Sequence, residues 1–224
     1  LFLEETVNGT SYDLTGLAFS TTYHVYAKSV CSANNMSETV STSFTTNFAD
    51  NIRVLTVNDG TTTSSYVPFY GLWIDDYTRS EMIYPASQLS DMVDGDIVNI
   101  SFYKNSTNTN SWGSASFKVY MKEVSATTLS SYIGMTDATV VYEGSVDASG
   151  GERLVTIDFT TPYTYTGGNL LIGIYETTAG SYSSANFYGV SVTNASASGY
   201  NSSSPASATF NSRSFLPKTT FTYT

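Results

Sequence analysis

The chain is a succession of short alternating segments separated by turn signals, and this pattern limits its fold more than any other feature. Beyond residue 52 the runs are Ile52–Val57, Tyr66–Trp73, Ser80–Tyr84, Ile97–Tyr103, Ser116–Val124, Thr139–Glu143, Arg153–Phe159, Leu170–Glu176, Ala185–Val192, Ser207–Asn211 and Lys218–Tyr223. In the clearest of them Phe117, Val119 and Met121 alternate with Lys118, Tyr120 and Lys122. A period of two puts one set of side chains on a core and the other in solvent, as in a half-buried strand. Asn58-Asp59-Gly60, Gly150-Gly151 and Gly167-Gly168 punctuate the runs as turns. Only Thr127–Met135 has room for a short helical turn. About ten strands at this spacing predict an all-β chain, with residues 52–224 forming an antiparallel sandwich of jelly-roll kind.

Composition supports this class. Of the 224 residues 41% are apolar, enough for a packed core, and only 12% are charged. Thr, Tyr, Phe and Val suit pleated surfaces, while Asn, Gly and Ser suit turns. The net charge of −10 argues against a nucleic-acid partner, which needs clustered Lys and Arg, and against an anionic membrane surface. No apolar run reaches the roughly 18 residues of a membrane span, so membrane insertion is not expected. The single cysteine, Cys31, forms no intrachain disulfide and reads as a buried or half-buried free thiol. The chain opens on Leu1 with no signal peptide, which reads as a piece of a longer protein.

Residues 1–47 differ from the rest. Tyr23, Val25 and Ala27 alternate with His24, Tyr26 and Lys28, and Val40 to Phe44 resumes the alternation after a polar connection. Tyr12-x-Leu14-x-x-Leu17 precedes them and continues as Leu17-Ala18-Phe19-Ser20-Thr21-Thr22-Tyr23. This stretch resembles the second half of a fibronectin type III domain, which implies a partial sandwich lacking its first strands. Such a remnant exposes an edge and an apolar face unless other strands cover them. Residues 45–51 form a polar hinge.

Residues 52–224 carry a second resemblance. The stretch Gly60 to Gly71, then Tyr77-x-x-Ser80-x-x-Ile83-Tyr84-Pro85-Ala86-Ser87, is similar to β-sandwich modules that follow fibronectin type III domains in large secreted proteins of Bacteroidetes. Ile97-x-x-Ile100-x-Phe102-Tyr103, Val140-Val141-Tyr142-x-Gly144, Phe159-x-x-Pro162-Tyr163-x-Tyr165, Asn169-Leu170-Leu171-Ile172 and Phe215-Leu216-Pro217 fit too. The resemblance implies a secreted or cell-surface location and a place beside other domains of a parent chain. Family membership of this sort constrains fold more than activity.

No residue set has the form of a catalytic centre, and an enzyme is not expected. His24, the only histidine, falls on the outward side of a strand without a nucleophile near it in sequence. Acidic residues gather between 75 and 96. Asp75, Asp76, Asp91, Asp94 and Asp96 are candidate oxygen ligands for Ca²⁺, although their spacing is not that of an EF-hand. The alternative is a solvated acidic surface with Gly95 at a turn. Aromatic residues give the second lead, because sugars stack their apolar faces on Trp and Tyr. Tyr70, Trp73 and Tyr77 crowd one irregular stretch with Arg79 among them. Trp112 and Tyr182 each sit in a polar loop with no evident core to enter. The expected function is a non-catalytic extracellular binding or adhesion module taking a glycan or a cell-surface protein. The rival is a structural spacer or accessory domain of a secreted protease or glycan-degrading enzyme.

Overall fold

The computed structural model describes residues 5–12, 14, 17, 21–32, 35–46, 52–106, 111–149 and 153–224. The hinge residues 47–51 and the Gly150-Gly151 turn lie outside them. The chain divides into two compact units, Leu1–Asp50 and Asn51–Thr224.

The strands among the described residues of the first unit form two antiparallel ladders. Its strands are β1 (Thr22–Ala27), β2 (Val30–Ser32), β3 (Asn35–Met36) and β4 (Val40–Thr45). β1 and β4 run antiparallel from Thr22 opposite Thr45 to Ala27 opposite Val40, and β2 pairs with β3 nearer the tip. Between the two ladders the Ser37 amide donates to the Ser29 carbonyl, and the Ser29 amide donates to Ser37 Oγ, each at 2.9 Å. Tyr23 and Phe44 stack across the ladder at 5.8 Å. Tyr23 and Val25 are half-buried and His24 and Tyr26 exposed, in keeping with the alternation, but Ala27, expected on the inward side, is exposed. Cys31 is exposed, contrary to the sequence expectation. It sits on a three-residue strand of a hairpin against which the described residues of this unit pack no second sheet.

The second unit has β5 (Arg53–Val57), β6 (Thr62–Ser64), β7 (Tyr77–Tyr84), β8 (Asp96–Tyr103), β9 (Ser116–Val124), β10 (Thr139–Gly144), β11 (Leu154–Thr164), β12 (Asn169–Thr178), β13 (Phe187–Val190), β14 (Ser196–Asn201), β15 (Asn211–Arg213), β16 (Leu216–Pro217) and β17 (Thr219–Tyr223). A six-stranded sheet in the order β10-β9-β12-β7-β14-β15 lies over a four-stranded one, β11-β8-β17-β5, with a small β16-β13-β6 sheet beside them. Every pairing is antiparallel. Phe117, Val119 and Met121 of β9 share one core with Ile100 and Phe102 of β8 and Phe221 of β17. Tyr84 ties the layers together, its ring edge-on to Phe221 at 5.6 Å and its hydroxyl 2.7 Å from Thr219 Oγ1. The outer face of the four-stranded sheet is polar, with cross-strand contacts such as Ser101 with Thr156 at 2.9 Å and Thr56 with Thr220 at 2.7 Å.

Two register details explain the sequence pattern. Ile97 and Ile100 both enter the core although three residues apart, which strict alternation forbids. The ladder passes from Thr222 opposite Asn99 to Tyr223 opposite Ile97, so a bulge at Val98 absorbs the extra residue. The uninterrupted apolar run of β12 has a different cause. Leu170, Ile172 and Ile174 face the sandwich core, while Leu171 joins Ile83, Tyr120, Leu129 and Ala197 on the opposite face of the same sheet. The connection 125–138 covers that second face with Ala126, Tyr132, Ile133 and Met135. A sheet buried on both faces reads as continuous hydrophobicity.

The connection is held by one carboxylate. Glu81 is wholly buried and accepts from Arg79 Nη2 and the Tyr120 hydroxyl, both at 2.7 Å, and from the amides of Ile133 and Gly134 at 2.7 and 2.9 Å. The helical turn expected within Thr127–Met135 is absent, its backbone donors being taken by Glu81 instead. Two strand expectations also change. Residues 66–73 form bends and a 3₁₀ turn at Gly71–Trp73, because Pro68 has no amide to give a ladder. Residues 207–211 contain the end of a 3₁₀ turn begun by Pro205, and the strand starts only at Asn211. β6, β14 and the two-residue β16 are not expected from the sequence. β14 reads Ser-Ala-Ser-Gly-Tyr-Asn, small residues without apolar alternation, yet four of its six residues are buried between β7 and β15.

Candidate functional site

The loop between β6 and β7 is built from alternating anchors and exposed rings. Phe69 and Ile74 plug the core, Phe69 meeting the rings of Trp112 at 4.9 Å and Phe117 at 5.2 Å. The Pro68 carbonyl accepts from Ser80 Oγ at 2.5 Å. The Trp73 amide donates to the Tyr70 carbonyl and the Asp76 amide to the Trp73 carbonyl, each at 3.0 Å, closing two successive turns. The neighbouring 179–185 loop is laced to this one, with the Gly180 amide on the Ile74 carbonyl at 2.6 Å and the Ser183 amide on the Gly71 carbonyl at 3.2 Å.

A ladder of rings runs across this end of the sandwich. The Trp73 indole lies face to face with Tyr200, centroids 3.8 Å apart and planes 4° from parallel. Tyr200 meets Tyr70 edge-on at 6.3 Å, and Tyr70 meets Tyr66 at 5.3 Å. The Arg213 guanidinium closes the row, 3.8 Å above the Tyr66 ring. Tyr70 is buried and Tyr200 half-buried, whereas Trp73 at 37% and Tyr66 at 38% are the exposed ends. Trp73 thus has one face fixed on Tyr200 and keeps over a third of its surface open.

The sequence candidates separate on this frame. Trp73, Tyr77, Asp75 and Asp76 share the turn leading into β7, with Asp75 exposed and Asp76 and Tyr77 half-buried. Tyr182 is 61% exposed, between two serines whose amides donate to the Trp112 and Gly71 carbonyls. Trp112 is not on the surface as its polar loop suggested. It is 4% exposed, packed on Phe69, and its Nε1 donates to the Ser183 carbonyl at 2.9 Å, so its role is to fasten the Tyr182 loop. Arg79 is also withdrawn from ligand duty. It pairs with Glu81 at 2.7 Å and lies over the Tyr132 ring at 4.1 Å, with its side chain only 11% exposed. Tyr70 is an inner rung of the ladder and presents no free face.

The five aspartates do not meet. Leu170 faces Tyr84 and Tyr175 faces Arg79, so Asp75 and Asp76 stand at one end of β7 and the Asp91 to Asp96 loop follows the other. Eight residues at about 3.3 Å each put most of a strand length between them. Asp94 adopts a left-handed conformation with its amide on the Tyr165 carbonyl at 2.8 Å, and Asp96 accepts from Thr164 Oγ1 at 2.6 Å. Among the described residues no three His, Cys, Asp or Glu come together as a metal site, and the residues do not fit Ca²⁺ as a shared ligand set.

Sequence reasoning missed Tyr200, Arg213 and Glu176. Tyr200 and Arg213 lie on β14 and β15, and nothing local in a Gly-Tyr-Asn or Ser-Arg-Ser context signals a stack with residues over 120 positions away. Glu176 lies on β12 among core residues and is wholly buried. Its Oε2 accepts from the amide and hydroxyl of Thr78, both at 2.8 Å, while Oε1 has no partner. Burial pushes this carboxyl up to about 8, against the two Thr78 bonds and aided by the field of Asp75 and Asp76. A neutral carboxyl therefore stands behind the Trp73–Asp76 turn. Elsewhere an open groove of about 520 Å³ is lined by Lys122, Glu123, Asp137 and Tyr163. Two of its charged groups are engaged in holding loops, Lys122 on the Thr136 carbonyl and Glu123 on the amides of Thr166 and Gly168.

Set beside protein-family models, curated proteins and solved structures, the chain finds no match. Function is therefore argued from the ring ladder and its surroundings alone.

Proposed function

We propose that residues 52–224 form a non-catalytic extracellular binding module that takes carbohydrate on the Trp73 platform. The hairpin before it is read as the end of a fibronectin type III domain and the sandwich as one of jelly-roll kind, within a larger secreted or surface protein. The observation that carries this reading is the Trp73–Tyr200 stack. An indole held flat by a second ring has lost its rotamer freedom before any ligand arrives, so binding costs less conformational entropy. Its open side offers an apolar plane to the C–H face of a pyranose. Asp75, Asp76 and Tyr77 share the turn that carries the indole and Tyr182 lies on the loop bonded to it, so carboxylates and phenol hydroxyls are offered to sugar hydroxyls from the same two loops. Such a shallow, polar-rimmed aromatic surface suits a polymer chain more than an enclosed small molecule.

The test is a glycan array followed by calorimetry on hits, with Trp73→Ala beside the parent chain. Binding that disappears with the indole while the thermal transition is retained supports the proposal. A folded protein that retains no glycan, or one that binds unchanged without Trp73, removes it.

A further inference from the structure

We infer that the Trp73 platform selects a glycan bearing free ammonium groups, that is, an amino sugar that is not acetylated. This rests on the carbohydrate reading above and names the sugar class. Trp73, Asp75 and Asp76 belong to one turn closed by the Asp76 amide on the Trp73 carbonyl. The ion pairs found among the described residues are Arg79 with Glu81, Lys118 with Glu143 and Lys218 with Asp59. None of them neutralises Asp75 or Asp76. The nearest cation along the ladder, Arg213, lies beyond Tyr200 and Tyr70, spread over Tyr66 and donating to Ser198 Oγ at 3.0 Å.

Behind the turn stands Glu176, wholly buried, which steadies the turn rather than adding charge to it. Its Oε2 holds Thr78, two residues after Asp76, which fixes the turn from below. An aromatic face beside unneutralised carboxylates attracts a cation by two additive routes, the ring quadrupole and charge-assisted hydrogen bonding. The chain's net charge of −10 adds a long-range attraction of the same sign and repels uronate, sulfated or sialylated glycans. A hexosamine meets both demands at once, since its C–H face stacks while its ammonium reaches a carboxylate. N-acetylation removes the charge and leaves the stacking unchanged.

The deciding experiment is calorimetry of the full chain with β-1,4 tetramers of glucosamine, N-acetylglucosamine and glucose, and with tetra-lysine. The glucosamine tetramer is expected to bind about tenfold more tightly than the other two sugars at low salt, the scale of one cation–π contact with a carboxylate. Asp75→Asn with Asp76→Asn is expected to bring the glucosamine tetramer down to the affinity of the neutral sugars measured on the same variant, with the melting temperature held. Equal affinity for all three sugars overturns the inference and leaves the carbohydrate reading standing. Failure of all three sugars overturns the inference, and the carbohydrate reading then falls only if the glycan array is empty as well. Tetra-lysine binding as tightly as the glucosamine tetramer also overturns the inference, since charge alone would then suffice.

Discussion

Gly173 and Tyr120 face each other across β12 and β9, and a methyl group added to Gly173 would fall inside the Tyr120 ring. The ring cannot swing aside cheaply, because it is wholly buried and its hydroxyl donates to Glu81 at 2.7 Å. Gly173→Ala is expected to cost about 1–3 kcal/mol through overpacking, read as a lower urea midpoint at unchanged slope.

Glu81 is the acceptor on which the covering connection depends. In Glu81→Ala the buried Arg79 charge, the Tyr120 hydroxyl and the amides of Ile133 and Gly134 all lose their partner. The expected cost is about 3–5 kcal/mol. Glu81→Gln keeps one acceptor and should fall between the variant and the parent. Hydrogen exchange supplies the local readout, with the amides of 133 and 134 losing protection before the strands do.

Glu176 makes stability depend on pH, and the sign is fixed by its raised value. The folded carboxyl titrates at about 8 and the unfolded one at its ordinary 4.5, so between these values the native state holds a proton that the unfolded state has released. The stabilisation is complete below 4.5 and is lost as pH rises to about 8. The urea midpoint should fall across that window, and Glu176→Gln should flatten the fall. An equally steep fall in the variant would show that other groups are responsible.

The Trp73–Tyr200 stack separates stability from recognition. Tyr200→Ala leaves the indole in place but unsupported, whereas Trp73→Ala removes it. Each should lower stability by only about 0.5–1.5 kcal/mol beyond lost burial, the usual worth of an aromatic pair. On ligand, Trp73→Ala should abolish the signal in calorimetry and Tyr200→Ala should weaken it, chiefly in entropy.

Both hydrophobic clusters of the second unit draw their buried members from residues between Val57 and Tyr223. A chain of residues 51–224 is therefore expected to unfold in one cooperative transition by calorimetry, with a melting temperature within a few degrees of the parent's.

What could be read from the sequence was whatever rests on local pattern. Strand β9 was read with the bounds Ser116–Val124 because Phe117, Val119 and Met121 keep strict alternation against lysines. β14 was not read, since a strand buried between two others can be made of Ser, Ala and Gly, whose small size is the fit and whose hydropathy says nothing. Trp112 misled for a related reason. Its neighbours are polar, yet the partners that bury it are Phe69, Phe117 and the Ser183 carbonyl, all distant in sequence. Trp73 and Tyr182 stand out in the sequence as candidate ligand contacts, Trp73 with core burial as the alternative, and both are exposed. The stack that fixes Trp73 was not legible, because Tyr200 arrives through the pairing of β14 with β7, in which Tyr200 opposes Thr78.

The pairing of β5 with β17 places Arg53 opposite Tyr223, so the strands that open and close the second unit are antiparallel neighbours with both chain ends on one side. Tension reaching the unit through those ends would not shear the ladder along its length. It would open the pair one rung at a time from Tyr223 towards Val57, the loading geometry in which hydrogen bonds break singly and at low force. A sandwich wired in this way yields early under traction, and β5 is the strand it gives up first.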